Sequence, residues 1–166
     1  YAEKIYLKKK IDENNLIVTS DSRRIMSTTD AGTTWKTDTI FTAATNVQFL
    51  GIKFKDANTG YVIGNPNHFA YTTNAGVNWT SSTSSSIRGQ RAIEYDNSTV
   101  WTAGDYEYVY KSTNDGVTWD SVKFYDLSNV NQPAPFIMYG IGANGNDLAV
   151  VGSNGQTTLS NDAGAT

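Results

Sequence analysis

The chain has 166 residues, with 13 Lys and Arg, 16 Asp and Glu, one His, no Cys and a net charge of -3. That length suits one domain with a sizeable core, while 17% charged against 39% hydrophobic residues excludes a disordered acidic tail. The charge offers no basic footprint for nucleic acid, no apolar run nears the roughly 18 residues of a membrane-spanning helix, and without Cys there is no disulfide framework, thiolate metal site or cysteine nucleophile.

Thr, Ser, Asn and Gly are abundant and Leu and Glu scarce, which is poor material for helices and good material for short strands and turns. In chain order, Leu16-Ile17-Val18-Thr19, Gly60-Tyr61-Val62-Ile63, Thr99-Val100-Trp101-Thr102 and Leu148-Ala149-Val150-Val151 are short β-branched or aromatic runs bounded by Asn, Asp and Gly. The chain therefore reads as all-β. Trp101 falls within a strand and is expected in the core.

A repeated box follows each run. Its landmarks are Thr28, Asp30, Gly32 and Trp35, then Thr72, Asn74, Gly76 and Trp79, then Ser112, Asn114, Gly116 and Trp119. A fourth copy, Ser160, Asp162 and Gly164, ends one residue before its expected Trp. The box glycines are 44, 40 and 48 residues apart, and Gly64, Gly104 and Gly152 each lie 12 residues before one, with Ser20 in that place in the first copy. A period near 44 residues with room for about four short strands predicts β-propeller blades. The expected blades are 2–38, 47–81, 91–124 and 136–166, the last without its final strand, so residues 1–166 read as a partial propeller. The chain opens at Tyr1 without a Met or a leader pattern and ends inside a box. The expectation is a piece of a longer polypeptide, then a half-propeller that pairs with a second copy, then a four-bladed monomer.

The box has a physical logic. Its Ser/Thr hydroxyl and the Asp/Asn two positions on can bond the backbone of a tight turn. Gly supplies positive φ, and the Trp ring is expected to bury between sheets for about 2–3 kcal/mol. These residues resemble the Asp-box, or bacterial neuraminidase repeat, with Asn74, Asn114 and Asn78 as departures that keep the turn. Asp56-Ala57-Asn58-Thr59-Gly60-Tyr61-Val62-Ile63-Gly64 before the second box resembles the photosystem II assembly factor-like (Ycf48-like) branch of the propellers, also common in secreted bacterial proteins. The resemblance implies architecture and leaves activity to be argued from a site.

The box residues are expected to be structural. Ligands are expected at the opposite ends of the blades, where the segments after the Gly markers differ most between copies. The candidate ligand-binding residues there are Arg24, Asn67, His68, Arg88, Asp105, Tyr106, Glu107 and Asn154. Asp105 and Glu107, flanked by tyrosines, are the best pair for glycoside acid–base chemistry. On an extended strand, however, they would lie about 7 Å apart on one face, and ligand hydrogen bonding explains them better. His68 is the single histidine and reads as a loop-surface residue. Asp56-Ala57-Asn58-Thr59-Gly60 has a calcium-loop look without the downstream Glu, and an Asx-type turn explains it better. Asn78-Trp79-Thr80 and Asn97-Ser98-Thr99 match glycosylation sequons at a frequency expected by chance.

With Arg23, Arg24, Arg88 and Arg91 as the whole arginine complement, the arginine triad that a sialidase resemblance implies cannot be assembled. The same scarcity removes the basic patch expected of the photosystem factor and argues against its specific partner role. The expected function is a non-catalytic binding or assembly module, extracellular, cell-surface or periplasmic, holding a protein surface or a glycan. It needs no cofactor or metal and engages no nucleic acid. The alternative is a glycoside hydrolase fragment.

Overall fold

The computed structural model describes residues 5–20, 23–40, 47–83, 87–105, 108–123 and 137–165. They form antiparallel sheets of consecutive strands, which fall into two compact units, Tyr1–Ser84 and Ser85–Thr166.

In the first unit, β1 (Ile5–Lys10), β2 (Leu16–Ser20), β3 (Arg24–Thr28) and β4 (Lys36–Thr39) make one sheet, and β5 (Gln48–Phe54), β6 (Gly60–Asn65), β7 (His68–Thr72) and β8 (Thr80–Thr83) make another. Ile17 and Ile25 of the first sheet and Phe49, Val62 and Ala70 of the second share a core with Ile40 and Val47. Each of these Ile, Val and Phe side chains taken from water is worth about 1.5–3 kcal/mol, which stabilises the pair of sheets far more than either hairpin ladder alone.

The second unit repeats the plan with β9 (Gln90–Asp96), β10 (Thr99–Gly104), β11 (Tyr108–Ser112) and β12 (Asp120–Lys123). Its second sheet has three strands, β13 (Met138–Asn144), β14 (Asp147–Gly152) and β15 (Thr157–Ser160). Trp101, Ala103 and Val109 pack with Met138, Leu148 and Val150 in its core.

The box turns close the β3–β4, β7–β8 and β11–β12 hairpins and follow β15. In each, the Ser/Thr oxygen accepts the box-glycine N–H: Thr28 from Gly32 at 2.9 Å, Thr72 from Gly76 at 2.9 Å, Ser112 from Gly116 at 2.8 Å and Ser160 from Gly164 at 2.9 Å. The same hydroxyl donates to the Asp30, Asn74, Asn114 or Asp162 side-chain oxygen at 2.7–3.0 Å. Asp56 Oδ1 accepts the N–H groups of Asn58 and Thr59, both at 2.7 Å, as an Asx turn does.

The box departs from its expected form in two ways. The residue before each glycine is also left-handed, with φ of 57° at Ala31, 57° at Ala75, 55° at Asp115 and 56° at Ala163. An L-residue there costs about 1–2 kcal/mol. At Ala31, Ala75 and Ala163 it is offset by a backbone bond to the neighbouring hairpin tip: Ala31 N–H to Asn14 O, Ala75 N–H to Asn58 O and Ala163 N–H to Asn146 O, at 2.8–2.9 Å. The tryptophans are also less buried than expected. Trp35 is 42% exposed, and Trp79 and Trp119 are half-buried. The indole N–H of Trp35 donates to Gly32 O at 3.0 Å and that of Trp119 to Gly116 O at 3.1 Å, so these rings lie back over their own turns.

The Gly markers have a clear cause. The first strand of every sheet carries a bulge, at Tyr6, Leu50, Arg91 and Tyr139, and the residue before it pairs with the marker: Ile5 with Ser20, Phe49 with Gly64, Gln90 with Gly104 and Met138 with Gly152. The backbones crowd there. A Cβ on Gly104 would fall 1.8 Å from Gly89 O, and one on Gly64 would fall 3.0 Å from Gln48 O. A Gly inside a strand run is the sequence signal that reveals such a bulge.

Candidate binding site at the hairpin ends opposite the box turns

Successive hairpins of an antiparallel meander turn at alternate ends, so the β2–β3, β6–β7, β10–β11 and β14–β15 turns lie at the end of their own sheet away from the box. Of the described candidates, Arg24, Asn67, His68, Asp105 and Asn154 sit at or beside these turns, and Arg88 precedes β9.

In the first unit, Arg24 is exposed at the start of β3, paired with Thr39, beside Arg23 in the left-handed region at φ 62°. Asn67 is half-buried in the β6–β7 turn, which contains a cis Asn65–Pro66 bond. His68 departs from the expected surface position. It is 7% exposed and pairs in the ladder with both Gly64 and Thr83 as the first residue of β7. Burial pushes its pKa below the ordinary histidine value, because the charged ring would lose its hydration. At neutral pH it therefore contributes a neutral ring to this end of the sheet.

In the second unit, more groups converge. Asp105 directly follows β10, its N–H donating to Gly89 O at 2.9 Å. Its carboxylate accepts from Arg91 Nε at 2.6 Å, with Nη2 more distant at 3.5 Å. Arg91 stands over the Tyr139 ring, 5.8 Å from its centroid. Beside them, Gln90 is fully buried and donates to Arg88 O at 2.8 Å, while the Arg88 side chain is exposed. The Tyr108 and Tyr110 rings lie 6.1 Å apart. Burial raises the Tyr110 pKa, opposed by the charge of Arg88. Asn154 is exposed in the 3-10 turn Ser153–Gly155 between β14 and β15, with φ 61°. Tyr106 and Glu107 lie outside the described residues. Arg91 and Tyr139, which sequence reasoning passed over, sit on the two bulges.

The arrangement offers guanidinium donors, aromatic surface and one ion-paired carboxylate. Among the described residues no three His, Asp or Glu side chains cluster as a metal site.

The model of a family described as photosynthesis system II assembly factor YCF48 matches residues 5–91. Among solved structures, one described as YCF48 bound to D1 peptide is 20% identical with a TM-score of 0.69, over 95% of this chain and 50% of that one. YCF48 from Cyanidioschyzon merolae is 16% identical with a TM-score of 0.68, over 95% and 53%. The Niastella koreensis GH74 enzyme is 18% identical with a TM-score of 0.59, over 88% and 28%. The chain thus spans about half the length of the YCF48 structures it matches. No curated protein matches it. At these identities the structures establish the fold, a partial β-propeller. The family description ties its members to assembly of photosystem II, which overturns the expected extracellular, cell-surface or periplasmic location. With its model matched over more than half of the residues and the same fold in two of its solved structures, the chain belongs to the photosynthesis system II assembly factor YCF48 family.

Proposed function

We propose that this chain is a non-catalytic protein-binding module of the assembly-factor kind, which holds a segment of a partner protein at the hairpin ends opposite its box turns. The observation that carries the reading is a contrast of side chains. At the box ends, the hydroxyls and Asp or Asn oxygens are consumed by their own turns. At the other ends, exposed and chemically varied groups such as Arg88 and Asn154 of the second unit are open to a ligand. A YCF48 structure carrying a D1 peptide supports a peptide as the ligand.

The test is calorimetric titration of the 166-residue chain with the D1 peptide. Saturable binding is expected, weakened about tenfold by Arg88→Ala, as for a residue contributing about 1.4 kcal/mol. No heat of binding would sink the reading. The glycoside hydrolase alternative has the fold likeness to the GH74 enzyme behind it. Against it, the carboxylate of Asp105 is already engaged by Arg91. Release of reducing sugar from a polysaccharide panel, lost in Asp105→Asn, would revive it.

A further inference from the structure

A bulge leaves one residue out of the ladder and re-aims its side chain, which is why bulges recur beside functional sites. In the second unit, two of the bulge residues meet: the Arg91 guanidinium lies over the ring of Tyr139, 5.8 Å from its centroid. Tyr139 stays 57% exposed. Asp105 fixes the geometry from just beyond the end of the neighbouring strand. Its Oδ1 accepts from Arg91 Nε at 2.6 Å, and its own N–H is tied to Gly89 O at 2.9 Å. Gly89 permits this approach, since a Cβ there would fall 2.6 Å from the Asp105 side chain and the residue is left-handed at φ 56°.

We propose that Asp105 is a positioning residue, holding Arg91 against Tyr139 so that the two bulges form one preformed contact surface; this rests on the protein-binding reading. An arginine side chain is flexible, and freezing it before the ligand arrives removes that ordering cost from the binding step. Asp105 also sets the ligand chemistry. It matches the charge of Arg91 and occupies the Nε side of the guanidinium, leaving Nη1 donors of a locally neutralised group. That edge suits a main-chain carbonyl better than a second carboxylate, while the exposed Tyr139 ring takes an apolar side chain of the same extended segment. Arg88, exposed and three residues earlier, is the cation that an acidic group would meet.

The clamp is tested on the free 166-residue chain through the Arg91 Nε–H resonance. In the wild type, that proton is expected to exchange slowly with water. Asp105→Asn should abolish the protection and Asp105→Glu should restore part of it, while Tyr139→Leu should remove the ring-current shift. An unchanged Arg91 resonance in Asp105→Asn overturns the proposal. Titration with the D1 peptide tests the surface. Asp105→Asn should weaken binding about tenfold, and Arg91→Ala should cost the same factor at low and high salt, whereas the loss from Arg88→Ala should shrink as salt rises. Wild-type affinity in Asp105→Asn, or a salt-dependent loss in Arg91→Ala, overturns the ligand assignment. If the wild type binds no peptide, the protein-binding reading fails; the resonance, read without ligand, tells that failure apart from failure of the clamp.

Discussion

β6 and β14 hold the same place in their sheets and read alike, each with an apolar run leading to a marker glycine. Their surroundings differ. In β6, Tyr61, Val62 and Ile63 are all fully buried, so both faces of the strand are covered. In β14, burial alternates: Leu148 and Val150 are buried in the core, while Val151 is 46% exposed. On that outward face Leu159 of β15 is 73% exposed, and a concavity of about 890 Å3 is lined by Gly142, Ala149 and Leu159. A continuous apolar run thus says that a strand can be buried on both faces, and only its neighbours decide whether it is.

The sharpest way to break this comparison is truncation on each face. Val62→Ala and Ile63→Ala point to opposite sides of β6 and should each cost about 2 kcal/mol or more in urea unfolding, Ile63 reaching about 2–5. Leu148→Ala should fall in the same range, whereas Val151→Ala should stay within about 0.5 kcal/mol. A Val151→Ala cost equal to that of Ile63→Ala would mean that the outward face of β14 is covered in solution.

Glycines extend the contrast with a smaller effect. Gly104→Ala drives a Cβ into Gly89 O and should destabilise by about 1–3 kcal/mol. Gly142→Ala meets nothing within 4 Å and should be neutral or stabilising by about 0.4–1 kcal/mol, through the entropy of the unfolded chain. Equal costs would remove the bulge as the reason for the marker.

The smallest effect separates the first box from the second. The Asp30 pKa is lowered to about 2, by the Thr34 hydroxyl first, then the Thr34 N–H and the Thr28 hydroxyl. A folded pKa below the unfolded value of 3.8 means that this stabilisation is present above pH 3.8 and is lost as the pH falls through about 2. Asp30→Asn should flatten that segment of the thermal midpoint against pH profile, making the first box behave as the second already does with Asn74. An unchanged acid slope would show that Asp30 does not contribute to it.

The turn chemistry was legible because it is local. Thr28, Asp30 and Gly32 close their hydrogen bonds within five residues, so their spacing carries the whole interaction. The left-handed alanines were not legible, since Ala31 gains its compensation from Asn14, on another hairpin. His68 looked like a loop residue because it follows Asn-Pro-Asn, yet pairing with two strands buries it. Asp105 was found as a candidate, but its partner Arg91 lies 14 residues away, and the bulge that aims Arg91 shows in sequence only through the opposing Gly104.

By itself, the sequence determined the all-β class, the repeat and its phase, and the residues of each turn. These depend on strand propensity and on hydrogen bonds between near neighbours, which a linear pattern records. The tertiary structure decided which strand faces are covered, how far the tryptophans stay exposed, and that Arg91, Asp105 and Tyr139 meet. Those outcomes depend on packing between segments far apart in the chain, where a one-residue bulge redirects a side chain without changing the composition around it.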